Sequence, residues 1–123
     1  MNIPKQYLPV MPYLLLSNAA GFIDFAAAVF GATEQYLVKR DDGVIQHAEL
    51  RMGDAVIMVA EATDSFKARP SGMFLYVENV DVVYALALHH GARSLMPVGE
   101  QPYGKTCGFE DQWGNQWWPT EPR

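Results

Sequence analysis

Three residues able to do chemistry stand two apart in the segment VIQHAELRM at 44–52: His47, Glu49 and Arg51. Side chains two apart on an extended strand leave the same face, so an imidazole and a carboxylate would be neighbours there. Ala48, Leu50 and Met52 take the other face. An imidazole beside a carboxylate can shuttle a proton near neutral pH. The same stripe can equally be a structural hydrogen-bonded set or a solvated surface. Alternation elsewhere puts Met11, Tyr13 and Leu15 on one face, with Val56, Met58 and Ala60 beside them. The second module adds Gly72, Phe74 and Tyr76, then Gln116 and Trp118, to the same wall. Such walls, apolar and aromatic with a few hydroxyl and amide groups, line small-molecule pockets and also fill ordinary cores. If a cavity is present, Tyr76 and Trp118 can stack on a flat ligand.

Other chemical groups are less promising. His89 and His90 are adjacent near a helix end, where they point about 100° apart and suit the helix dipole rather than a shared metal. Cys107 is the only cysteine, which excludes an internal disulfide and a cysteine zinc cluster. It reads as a structural thiol rather than a nucleophile. No glycine-rich phosphate loop, serine nucleophile phrase or dinucleotide fingerprint occurs. Nine Lys and Arg against fourteen Asp and Glu leave a net charge of −5, and Lys39-Arg40 is the longest basic run. Nucleic acid and anionic membrane surfaces are therefore not expected partners. No apolar run approaches the roughly 18 residues of a bilayer span, and Pro9 and Pro12 interrupt the N-terminal apolar stretch. The expectation is a mature cytoplasmic protein.

The elements that must position these residues repeat at a spacing of about sixty residues. YLLL (13–16) leads into a helix at 19–30, and FLYV (74–77) leads into one at 80–90. Asn18 and Asn79 are N-cap candidates, and Gly31 and Gly91 suit the left-handed residue that closes a helix. Three extended stretches follow each helix: 35–40, 44–52 and 55–61, then 93–98, 105–113 and 116–120. Gly53-Asp54 and Gly114-Asn115 are read as matching hairpin turns. The chain, 123 residues long, is thus expected to be one α+β domain of two βαβββ modules. Module one covers about 8–62, the connection 62–71, and module two about 72–120. Each helix carries a single charge, Asp24 or Asp81. Phe22, Phe25, Ala26 and Val29 are expected to face the sheet. The apolar remainder predicts a homodimer.

The phrases FIDFAAAVFGA, GVIQHAEL, GDAVIMVAE, ENVDVVYALALHHGA and QPYGKTCGFEDQWGNQWW, in this order and spacing, resemble the glyoxalase/bleomycin-resistance/dioxygenase superfamily. Within this vicinal oxygen chelate fold the chain is most similar to the PhnB-like branch. The resemblance covers about residues 11–120. It implies a cupped mixed sheet around a central cavity with helices outside. It also places Lys105 at the cavity mouth, where it can meet an anionic substrate. In metal-dependent members four strand positions supply His, Gln or Glu ligands. Here those positions fall at Met11, Met58, Gly72 and Trp118, none of which offers an imidazole or a hard oxygen, so no metal or other cofactor is expected. The resulting expectation is a metal-free protein that captures a small apolar or aromatic ligand. Tyr13, Met58, Phe74, Tyr76, Lys105 and Trp118 are its binding candidates. The alternative is an enzyme of the superfamily using His47 and Glu49 as an acid–base pair or as metal ligands.

Overall fold

A computed structural model describes all 123 residues. The chain divides into two compact units, Met1–Arg69 and Pro70–Arg123. The first contains β1 (Tyr13–Leu16), α1 (Ala19–Phe30), β2 (Thr33–Lys39), β3 (Ile45–Met52) and β4 (Ala55–Glu61). The second repeats the order with β5 (Gly72–Tyr76), α2 (Val80–His89), β6 (Arg93–Gln101), β7 (Gly104–Glu110) and β8 (Gln116–Pro122). Strands run β1-β4-β3-β2 in one sheet and β5-β8-β7-β6 in the other. The first and last strands of each unit pair parallel, and the remaining pairs are antiparallel. Two βαβββ units are what the sequence repeat predicts, and the mixed sheets are what the family resemblance implies.

Helix α1 begins where it does because its free amides find acceptors. Asn18 sits in the left-handed region (φ 65°), and its side-chain oxygen accepts from the Gly21 amide at 3.1 Å. Glu61, at the end of β4, accepts from the amides of Asn18 at 2.8 Å and Ala19 at 2.9 Å. A carboxylate there also meets the positive end of the helix dipole. Gly31, at φ 67°, closes the helix. The buried face is Ala19, Phe22, Phe25, Ala26 and Val29, set against Leu14, Leu16, Ala48, Leu50, Ile57 and Val59 of the sheet. Each large side chain here contributes about 1.5–3 kcal/mol by leaving water.

Unit two closes the same way, with Asn79 accepting from Val82 and Glu121 of β8 accepting from the Val80 amide at 2.8 Å. Trp117, Phe109, Cys107, Val80 and Ala87 form its core. Two departures from the sequence reading occur here. The second hairpin is not a two-residue Gly114-Asn115 turn, because β7 stops at Glu110 and β8 starts at Gln116. Asp111, buried, organises the loop: one carboxylate oxygen accepts from the amides of Trp113 and Asn115, the other from Asn115 Nδ2 and Trp117 Nε1. Four donors on one carboxylate outweigh the preference for a tight turn. Strand β6 also runs on to Gln101, past a register break between Met96 and Gly99. Pro97 lies in that break, since it has no N–H for a ladder.

Candidate functional site

In unit one the face away from α1 carries the sequence-nominated pair. Register sets Tyr13 beside Met58, Met58 beside Glu49, and Glu49 beside Tyr36, while Val38 stands beside His47. His47 Nε2 lies 2.9 Å from Glu49 Oε2, and His47 Nδ1 lies 3.3 Å from the Tyr13 hydroxyl. The Tyr36 ring stands 6.2 Å from the imidazole, centroid to centroid.

Glu49 is only 4% exposed. Gln35 Nε2 donates to its Oε1 at 3.1 Å, and the Tyr7 hydroxyl donates to its Oε2 at 3.1 Å. Burial alone would raise this carboxyl. The hydrogen bonds from His47, Gln35 and Tyr7 outweigh it and hold the group below the usual carboxylate range. Tyr7 is raised in return, chiefly by its hydrogen bond to the carboxylate. An ionised Glu49 only accepts, so His47 in its neutral form carries its proton on Nε2 and receives the Tyr13 O–H at Nδ1. Tyr13, His47 and Glu49 are thereby wired in one direction.

Two of the groups that hold Glu49 in place come from outside the strands. The Gln6 carbonyl accepts from Gln35 Nε2 at 3.2 Å and from Arg51 Nη2 at 3.0 Å, and Arg51 Nε donates to Gln35 Oε1 at 3.2 Å. With Tyr7 on Glu49, the segment before β1 forms a strap over the polar half of this face. Beside Tyr13 the face opens into a groove of about 450 Å³, lined by Tyr13, Leu15, Arg40, Gln46, Ala60, Glu61, Thr63 and Phe66. Its wall is mostly apolar, and the Glu61 carboxylate is already committed to the start of α1.

The helix-free face of unit two carries Phe74, Trp118 and Thr106, by the register of β5, β8 and β7. Phe74, Tyr76 and Tyr103 form an exposed aromatic cluster, with ring centroids 5.3 and 6.2 Å apart. The Trp118 ring lies against Gly108, where a Cβ would come within 2.1 Å of Cζ3. Lys105 does not share this face. Strand parity sends it to the side of Cys107 and Phe109, where its ammonium pairs with Asp81 in the first turn of α2. That hydrogen bond is the main reason its pKa rises. Lys105 is therefore corrected from a ligand contact to a helix-side ion pair. Cys107 is fully buried, and burial pushes its thiol up to about 11.

The sequence reading sets Tyr13, Met58, His47 and Glu49 around one cavity with Phe74, Tyr76 and Trp118. The structure places the first four on the helix-free face of unit one and the last three on that of unit two, and of them all only Tyr13 lines the groove. The sequence reading missed Tyr7, Gln35, Arg40, Gln46 and Phe66. Phe66 was the one aromatic in an otherwise polar connection, and that was the available signal. For a divalent metal the four positions that the resemblance singles out do not fit, since Met11 and Met58 offer thioethers, Gly72 no side chain and Trp118 an indole. No three His, Cys, Asp or Glu side chains converge on a point where an ion could sit.

No protein-family profile matches the chain. It is similar to the uncharacterized protein Mb0911c of Mycobacterium bovis, with 29% identity over 118 residues, 86% of this chain and 78% of that one. Among solved structures it superposes on TnmS3, an antibiotic binding protein from Streptomyces sp. CB03234, with a TM-score of 0.73 and 15% identity. That match covers 95% of this chain and 100% of the other. A member of the glyoxalase/bleomycin resistance protein/dioxygenase superfamily from Sphaerobacter thermophilus matches with a TM-score of 0.68 and 16% identity, over 93% and 98% of the two chains. With two βαβββ units in a single chain, each a four-stranded mixed sheet backed by one helix, this protein has the fold of the glyoxalase/bleomycin-resistance/dioxygenase superfamily.

Proposed function

We propose that the protein binds a small, largely apolar aromatic molecule in the groove of unit one, without a metal. The observation that carries this reading is the groove itself, about 450 Å³ between Tyr13, Leu15, Ala60 and Phe66 on the helix-free face of the sheet. That volume suits a compact ligand, and two aromatic side chains on its wall suit a planar one. Soft or absent donors at Met58, Gly72 and Trp118 favour binding without metal. A protein of the same fold is described as an antibiotic binding protein, which supports reading this fold as a small-molecule binder. The sequence phrases resemble the PhnB-like branch, and a cytoplasmic homodimer completes the reading. Val82 and Leu88 are exposed on α2, and Phe74, Tyr76 and Tyr103 are exposed on the opposite, helix-free side of unit two. Either set of apolar side chains is one that a second copy would cover.

A set of uncharged aromatic fragments titrated into isotope-labelled protein tests the site. Amide shifts should concentrate at Tyr13, Gln46, Thr63 and Phe66. Phe66→Ala should weaken binding by about 1–3 kcal/mol, as for a stacked anchor. Shifts confined to unit two would overturn the assignment. Native mass spectrometry of the same material reads subunit number and any retained metal. An acid–base use of His47 and Glu49 is the second reading, favoured by their 2.9 Å contact and by the exposed Tyr13 hydroxyl on the other imidazole nitrogen.

A further inference from the structure

The wiring of Tyr13, His47 and Glu49 ends at the groove, and it restricts what the groove can hold. We propose that the groove takes a weakly acidic aromatic hydroxyl compound, a phenol or an aromatic enol, and that the relay removes its proton on binding. This rests on the groove being the ligand site. The tyrosine ring is half exposed and forms part of the groove wall, while its hydroxyl sits on His47 Nδ1. Behind the imidazole stands a buried carboxylate held by three donors. This is the arrangement of an exposed O–H, a base behind it and a fixed group that orients the base.

The proton balance closes without another reactant. The ligand O–H bond breaks as its proton moves to the Tyr13 oxygen. The original Tyr13 O–H breaks as its proton moves to His47 Nδ1. The imidazolium so formed donates from Nε2 to the Glu49 carboxylate, and the ligand is left as an aryloxide. Tyr13 then donates to that oxygen, as phenols do to aryloxides. Arg40 is the only cation on the groove wall, and it takes part in none of the chain's ion pairs. Its charge favours the aryloxide. Glu61, the only carboxylate on the wall, is spent on two helix amides and opposes the anion less than a free carboxylate would. Tyr36 and Tyr7 complete the titratable groups around the relay, one against the imidazole and one on Glu49. A permanently charged ligand would need Arg40 but would have no use for the relay.

The probes are p-nitrophenol and p-nitroanisole, which share a ring and differ in the acidic proton. Equilibrium dialysis measures how much of each is bound, and absorbance reports whether bound nitrophenol is ionised. At a pH where the free phenol is mostly neutral, the bound phenol should show the phenolate band. The ratio of ionised to neutral probe should rise about tenfold or more, the effect expected of a nearby opposite charge. Tyr13→Phe and His47→Gln should each abolish that rise while still retaining p-nitroanisole, which also shows that the variants are folded. Bound but neutral nitrophenol would overturn the relay and leave the groove reading intact. A phenolate band that survives in both variants would also overturn it, since Arg40 would then act alone. Failure of the native protein to retain either probe would overturn the groove and the relay together.

Discussion

Replacing Glu49 by Gln removes one charge at nearly constant volume, and its consequences can be worked out from the contacts. The carboxylate accepts from Gln35 Nε2, Tyr7 Oη and His47 Nε2, at 3.1, 3.1 and 2.9 Å. A Gln side chain keeps one acceptor oxygen, which can stay on Gln35. Its amide nitrogen then faces a hydroxyl and an imidazole N–H that were both donating. Tyr7 can turn its hydroxyl to accept, but His47 must move its proton to Nδ1, reversing its bond with Tyr13. Two hydrogen bonds to a charged group, at about 1.5–3 kcal/mol each, are exchanged for weaker neutral ones, and the net loss should be about 2–4 kcal/mol. The pH dependence has a fixed sign. The folded-state carboxyl lies below its ordinary value, so its contribution is complete above the unfolded pKa and disappears as pH falls through the folded one. Urea unfolding of both proteins should show the full gap at pH 7 and a closing gap in the acid range below the ordinary Glu value. A gap under about 0.5 kcal/mol at pH 7, or one that does not change with pH, would refute this account of Glu49.

Gly108→Ala puts a methyl group within 2.1 Å of the Trp118 ring, so the indole must leave its seat on β7. A loss of about 1–3 kcal/mol and a red-shifted tryptophan emission are expected, with a deeply buried Trp117 unaffected. Cys107 should be inert to thiol reagents in the folded protein at pH 8, because its thiol is buried and titrates at about 11. Labelling with a chromogenic disulfide should follow the rate of global unfolding, and rapid labelling of folded protein would contradict its burial.

Much of this was readable before any coordinates. The helices announce themselves through Asn18 and Asn79 before an apolar run and Gly31 and Gly91 after it, and Gly53-Asp54 marks one hairpin. These are local signals, made by residues within a few positions of each other. What escaped depends on partners far apart in the chain. Tyr7 reaches Glu49 across 42 positions, and nothing in MNIPKQYLPV announces it. Asp111 falls inside the extended stretch expected at 105–113, although it is a buried carboxylate that organises the loop between β7 and β8. The resemblance puts Lys105 at a cavity mouth, but strand register decides otherwise: with Thr106 and Gly108 beside Thr120 and Trp118, odd-numbered residues of β7 face the helix. The groove residues Arg40 and Phe66 lie in or beside connections, where alternation says nothing.

The carboxylates of Glu61 and Glu121 ask for a kinetic reading of the fold. Each lies on the last strand of its unit and receives the first amides of a helix about forty residues earlier. Neither helix can have a fully satisfied start until the final strand has docked parallel to the first. Early-forming helical turns would therefore fray at that end, and the long loop must close before they are secured. Each unit should then gain its native structure in one late, concerted step, and open in the same all-or-none manner, as a single foldon.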